Sequence, residues 1–210
     1  MATYSEVDIC NIALHAVGAE AITSLDADKK GARACNSFYA ISRDYLLSAF
    51  DWSFARKFKN LTVIDTPTEE VPEGYFVYQL PSDCEIVRKL WPYQQRDRWE
   101  IMGDKLWSVR EDEVGLYYTT TSTNTHLFST AFSHLLAIAI SVRLAPIVAQ
   151  DETLAGKLFE QFLVQQAEAY AIDANASNNY RSYDETPEND TFVNPDLAGF
   201  FGISVKQTNI

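Results

Sequence analysis

The spacing of apolar residues changes period twice along this chain of 210 residues, and that alternation constrains the fold more than any single motif. Thr3 followed by Glu6 has the form of a capping box, and Val7, Cys10, Leu14 and Val17 then fall on one helical stripe before Gly18 offers a stop. A first helix is therefore expected over about 4–17. Ser24 and Asp26 are candidate caps for a second helix, in which Ala32, Cys35, Tyr39, Leu46 and Ala49 recur at helical spacing to about Phe50. Between about 58 and 122 the pattern becomes short β-rich runs: Leu-Thr-Val-Ile at 61–64, Tyr-Phe-Val-Tyr at 75–78 and Glu-Ile-Val-Arg at 85–88. Trp99–Met102, Gly103-Asp104 and Leu106–Val109 read as a hairpin, with Gly115–Thr121 as the next strand of a meander. Pro67, Pro72, Pro81 and Pro92 punctuate the earlier runs, which places those strands at edges or between loops.

Helical spacing returns from about 126, where Leu127, Phe128, Ala131, Phe132, Leu135, Ala139 and Val142 give a face wide enough to require burial. The run from Leu127 to Ala149 approaches the length of a membrane span, but His134, Arg143 and Pro146 interrupt it, so a buried helix and no membrane are expected. Pro146 should end or kink that helix, and Asp151-Glu152 can start a fourth, with Leu154, Leu158 and Phe162 on one face. Beyond about Asn175 the chain turns Asn-, Ser-, Asp- and Glu-rich while keeping Tyr180, Tyr183, Phe192, Phe200 and Phe201. Those five aromatics are the candidate partner-contact residues, with Phe200-Phe201 as the anchor. The segment can order on a partner, pack as an arm on its own subunit, or stay mobile. The expected fold class is α+β: an antiparallel-type bundle of about four helices (1–57 and 123–175) interrupted by a small antiparallel β subdomain (58–122), then an extended or disordered C-terminal arm (176–210).

Composition narrows function by exclusion. The chain is 47% hydrophobic and 22% charged, which is the composition of a folding chain. With 17 Lys+Arg against 29 Asp+Glu the net charge is -12, so ordinary nucleic-acid binding over the whole surface is disfavoured. Cys10, Cys35 and Cys84 are odd in number and form no C-x-x-C pair, which fits a reducing compartment rather than a disulfide framework or a zinc site. The N-terminal residues carry no secretory-signal pattern. His15, His126 and His134 make no metal-ligand pattern. With only 8 glycines and no G-x-G-x-x-G, P-loop or G-x-S-x-G, phosphate cradles and the nucleophile elbow lack their backbone requirement. Asp65, Glu69, Glu70, Glu73, Glu111, Asp112 and Glu113 leave a hydrolase with two converging carboxylates open, although most lie where solvated loop residues are the default. Asp83, in Leu-Pro-Ser-Asp-Cys, is read as a turn cap. No catalytic, cofactor-binding or metal residue is assigned, and no enzyme activity is expected.

Taken together and in order, Asn11-Ile-Ala-Leu14, Val17-Gly18, Ile22, Ser24, Asp26, Ala32, Cys35, Tyr39, Arg43-Asp-Tyr-Leu-Leu47 and Trp52-Ser-Phe-Ala55 resemble the opening of the tail tubular protein A family. That family is the head-to-tail adaptor, or connector, of short-tailed bacteriophages. The likeness continues in Tyr78-Gln-Leu-Pro-Ser-Asp-Cys84, in Gly115-Leu-Tyr-Tyr118, and in Phe132, Leu135-Leu136, Ala139 and Arg143-Leu-Ala145, covering about 1–175. The resemblance implies a structural virion protein made in the host cytoplasm and located in the neck of the tail. It implies a homo-oligomeric ring, dodecameric in relatives, with the portal protein above and a nozzle similar to tail tubular protein B below. Double-stranded DNA would pass through its channel during ejection without specific binding, helped by acidic residues that repel phosphate. A soluble non-viral interaction protein is the alternative reading.

Overall fold

The computed structural model describes residues 4–65, 70–93, 98–111, 113–121 and 123–176. It has four helices and two small antiparallel sheets, an α+β fold. The chain divides into two compact units, one formed by Met1–Phe54 with Thr123–Ile210 and the other by Ala55–Ser122.

In the helical unit, α1 (Glu6–Ala16) is capped by Ser5 and not by Thr3. The Ser5 hydroxyl accepts from the Asp8 backbone N–H at 3.1 Å while the Asp8 carboxylate accepts from the Ser5 N–H at 2.9 Å. The box has the expected reciprocal chemistry, shifted by two residues so that an Asp replaces the Glu. At the other end Gly18 adopts φ +69°, and the Gly18 and Ala19 N–H groups bond back to the His15 and Leu14 carbonyls at 3.0 and 2.9 Å. Only a residue without Cβ takes this left-handed stop cheaply. The second helix, α2 (Lys30–Ala49), starts later than Ser24 and Asp26 suggest and has no side-chain cap. The Ser24 hydroxyl instead accepts from the Asp26 N–H at 3.1 Å, spending its capping chemistry on a turn in the α1–α2 connection.

A 3-10 turn at Thr125–Leu127 precedes α3 (Thr130–Leu144), which Ser129 caps by accepting from the Phe132 N–H. Leu127, expected on the buried face, is therefore 52% exposed. Because α1, α2 and α4 all pack on α3, that helix is buried on nearly every side, from Phe132 and Leu135 through Ile140 and Val142. With the π turn that follows (Ala145–Ala149) it is long and apolar enough to cross a membrane, but 61% of that window is buried inside the fold. Pro146 has no N–H to continue the ladder, so the chain widens into the π turn and closes at Gln150, φ +57°. The Asp151 carboxylate then accepts from the Leu154 N–H at 2.9 Å, starting α4 (Glu152–Ala176).

In the β unit, β1 (Arg56–Leu61), β6 (Val114–Thr120) and β3 (Cys84–Trp91) form one sheet in that order, and β2 (Phe76–Gln79), β5 (Lys105–Ser108) and β4 (Trp99–Met102) form the other. The β4–β5 hairpin turns at Gly103-Asp104 with Gly103 at φ +62°, as its sequence announces. The meander beyond it does not form, because β6 leaves β5 and becomes the central strand of the first sheet. The first strand also lies earlier than 61–64. Residues from both sheets share one core: Leu61, Val87, Leu90, Val114, Leu116 and Tyr118 with Tyr78 and Leu106.

Candidate interaction surfaces

Asn11, Trp52 and Ser53 act as joints in the helical unit. The Asn11 side-chain amide clamps the backbone of Ile22, donating to its carbonyl at 3.0 Å and accepting from its N–H at 2.8 Å, which pins the α1–α2 connection to α1. Trp52 is fully buried, donates its indole N–H to the Leu46 carbonyl at 2.7 Å, and meets Phe132 and Tyr170 edge-on at 5.0 and 5.5 Å. Beside it the buried Asp173 carboxylate of α4 accepts from the Ser53 N–H at 2.9 Å and the Ser53 hydroxyl at 2.8 Å. Cys10 and Cys35 are fully buried; the neighbouring Cys35 sulfur and burial push the Cys10 thiol well above the ordinary range, so it stays protonated.

In the β unit the joint is Asp83. Its carboxylate accepts from Lys57 Nζ at 2.6 Å, Thr120 Oγ1 at 2.9 Å and the Tyr118 hydroxyl at 3.1 Å, tying the turn before β3 to β1 and β6. The Lys57 bond, helped by Thr120 and Tyr118, draws the Asp83 carboxyl down to about 2, while desolvation and Asp83 push Tyr118 up to about 12. A carboxylate that remains ionised at every physiological pH is a strand tie, poorly matched to acid-base chemistry near neutrality. The Cys84 N–H bonds the Pro81 carbonyl at 2.9 Å, as the turn reading expects, but the side-chain ties to β1 and β6 go beyond it.

The other chemical candidates stay apart. Asp65, Glu70, Glu73, Glu111 and Glu113 are all exposed, and Glu69 and Asp112 lie outside the described residues. His15, His126 and His134 are exposed as well; the His134 ring packs edge-on against Tyr4 at 5.8 Å. Among the described residues no group of three or more His, Cys, Asp or Glu side chains is placed to hold a metal ion. Tyr180, Tyr183, Phe192, Phe200 and Phe201 lie outside the described residues.

Two exposed apolar faces stand out among the described residues. On α4, Leu163 (41% exposed), Val164 (68%) and Ile172 (49%) share a stripe with Ala167 and Ala171, at helical spacing opposite the buried Phe159, Phe162 and Ala169. On the β unit, the face of the β1–β6–β3 sheet turned away from its core carries Phe58, Tyr117 and Trp91. Phe58 and Trp91 are about half exposed, and Phe58 meets Tyr117 at 4.8 Å. Gly115 sits between Phe58 and Trp91, where a Cβ would come within 2.7 Å of the Phe58 ring and 3.1 Å of the Trp91 Cβ. Lys89 lies over the Tyr117 ring at 4.9 Å. Sequence reasoning overlooked this face because it began the strand at 61, and Arg-Lys-Phe-Lys-Asn at 56–60, with one apolar residue in five, carries no alternation to mark a strand. Neither any model of a known protein family nor any curated protein matches this chain.

Proposed function

We propose that this chain is the repeating subunit of a head-to-tail adaptor ring in a short-tailed bacteriophage, joining the portal to the tail nozzle and lining part of the DNA ejection channel. The observation that carries the reading is the ordered set of residues from Asn11 to Ala145 that resembles the tail tubular protein A family. Their placement supports it: Asn11, Trp52 and Ser53 hold the angle between elements, which is what a part with a geometric task requires. The α4 stripe of Leu163, Val164 and Ile172 supplies an unpartnered face for a neighbouring copy, and head-to-tail contacts of this kind close into rings. In this reading the helical unit forms the ring body, while the β unit and the segment 177–210 reach the portal and the nozzle. The acidic surface facing the channel repels the phosphates of passing DNA.

The test is light scattering on a sizing column, with the full chain alone and then mixed with the portal ring from the same source, followed by imaging of the complex. The expected result is a ring-on-ring assembly. Val164→Glu on the α4 stripe should leave the chain folded and prevent the ring. Separate elution of portal and chain at micromolar concentration would overturn the proposal.

A further inference from the structure

Cys10 of α1 and Cys35 of α2 are both fully buried inside the helical unit, and their thiols are hydrogen-bonded to each other. Their surroundings show that the two helices meet along one row. One turn from each thiol, Gly31 of α2 has no side chain where a Cβ would come within 3.0 Å of the Leu14 Cδ2 of α1, so Leu14 rests on bare α2 backbone. One turn the other way, burial and then the Glu6 carboxylate push the Tyr39 hydroxyl above its ordinary range, which puts Glu6 of α1 near Tyr39 of α2. Residues 6, 10 and 14 thus run antiparallel against 39, 35 and 31, each row at the i, i+4 spacing of a single helix face. The thiols occupy the middle of that row, beside the close approach at Gly31.

The two cysteines are not equivalent. The hydrogen bond from Cys10 draws the Cys35 thiol below its ordinary range, whereas the Cys35 sulfur and burial push Cys10 up. Cys35 is therefore the side that forms a thiolate, and Cys10 keeps its proton. We propose that Cys10 and Cys35 are a redox-sensitive pair that closes to a disulfide between α1 and α2 when the chain meets hydrogen peroxide. The Cys35 thiolate attacks one peroxide oxygen and breaks the O–O bond, giving a Cys35 sulfenic acid and a hydroxide that takes up the proton Cys35 gave up. The Cys10 sulfur then attacks the Cys35 Sγ: the S–S bond forms, the S–O bond breaks, and the hydroxyl leaves with the Cys10 proton as a second water. Two thiols are oxidised and one peroxide is reduced. In reducing surroundings the pair stays open; in oxidising ones the bridge ties α1 to α2 next to Asn11, whose side chain already clamps Ile22. The chemistry of the pair does not depend on the ring reading.

The full chain is treated with hydrogen peroxide at neutral pH without denaturant, blocked with N-ethylmaleimide, then unfolded and digested with trypsin without reduction. A linked pair of peptides, one ending at Lys29 and carrying Cys10 and the other ending at Arg43 and carrying Cys35, is expected. The urea unfolding midpoint of the helical unit should rise by about 1–2 M and return to its starting value with dithiothreitol. Cys10→Ser keeps a hydroxyl donor beside Cys35 and should let dimedone capture the sulfenic acid there, while Cys35→Ser should leave Cys10 about tenfold less labelled. The peptide map is made on the unaltered chain, so it decides the matter whether or not the variants fold. Absence of the linked pair, a bridge to Cys84 in its place, a bridge that forms only after urea has unfolded the chain, or a midpoint that does not rise would overturn the proposal. Equal labelling of the two variants would overturn the assignment of Cys35 as the attacking thiolate.

Discussion

The helical and β units differ in how many of their aromatic side chains reach the surface, the β unit burying Tyr78, Trp107 and Tyr118 but exposing others. In the helical unit aromatic rings close the structure: Trp52, Phe132 and Phe128 are buried, with Phe50 stacked on Tyr170 at 4.1 Å. In the β unit Phe58, Trp91 and Tyr93 stand at 48, 53 and 66% exposure, and aliphatic residues supply most of the core. A tryptophan alone says little about its task; Trp52 is fully buried with its indole N–H on the Leu46 carbonyl and its ring against Phe132 and Tyr170, whereas Trp91 is 53% exposed. The first is a joint and the second is a surface.

The sharpest test of that contrast is a pair of substitutions. Trp52→Ala removes a fully buried ring and its hydrogen bond, and should cost about 3–5 kcal/mol in denaturant unfolding. Trp91→Ala should stay within about 0.5 kcal/mol, because half of its surface already meets water. Equal costs would erase the distinction between the two units.

A smaller effect is expected at Asp173, where the helical unit relies on a buried polar group. Asp173→Ala strands the Ser53 N–H and hydroxyl and should cost about 2 kcal/mol. Asp173→Asn can still accept from the Ser53 N–H while its amide donates to the hydroxyl, so it should recover much of that loss. If the two variants are equally destabilised by chemical denaturation, the charge rather than the hydrogen bonds holds α4 to Ser53.

The fold was legible wherever local chemistry decides it. The helices of the bundle follow from spacing, Gly18 from the need for a left-handed stop, and the hairpin from Gly103-Asp104. Sheet order was not legible, because β6 pairs with strands more than twenty residues away and is buried on both faces, leaving no alternation to assign a side. Ser24 and Asp26 misled for a different reason: the same side-chain oxygen serves a helix cap or a turn, and only the tertiary path decides which. The Asp83 tie joins residues 57, 83, 118 and 120, a distance in sequence that no short motif spans. Of the surfaces, the α4 stripe was hidden because Leu163, Val164 and Ile172 look like core residues until the opposite face is known to be the buried one.

The smallest effect separates the units by pH. The Asp83 carboxyl stands near 2 in the folded chain against an ordinary 3.8, so the unfolded chain binds the proton first as pH falls. The stabilisation is complete above about pH 4 and is lost as pH drops through about 2; with the carboxylate 36% exposed and screened by solvent, it is about 1 kcal/mol. Three of the four tryptophans, Trp91, Trp99 and Trp107, lie in the β unit and only Trp52 in the helical unit, so fluorescence of Trp52→Phe reports the β unit and its difference from the unaltered chain reports Trp52. The β-unit signal should move at the higher pH of the two. Asp83→Asn should lower the β unit's stability at neutral pH and flatten its dependence below pH 4, leaving the Trp52 signal where it was. A Trp52 signal that moves first, or an acid limb untouched by Asp83→Asn, would show that the strands are tied by something other than this carboxylate.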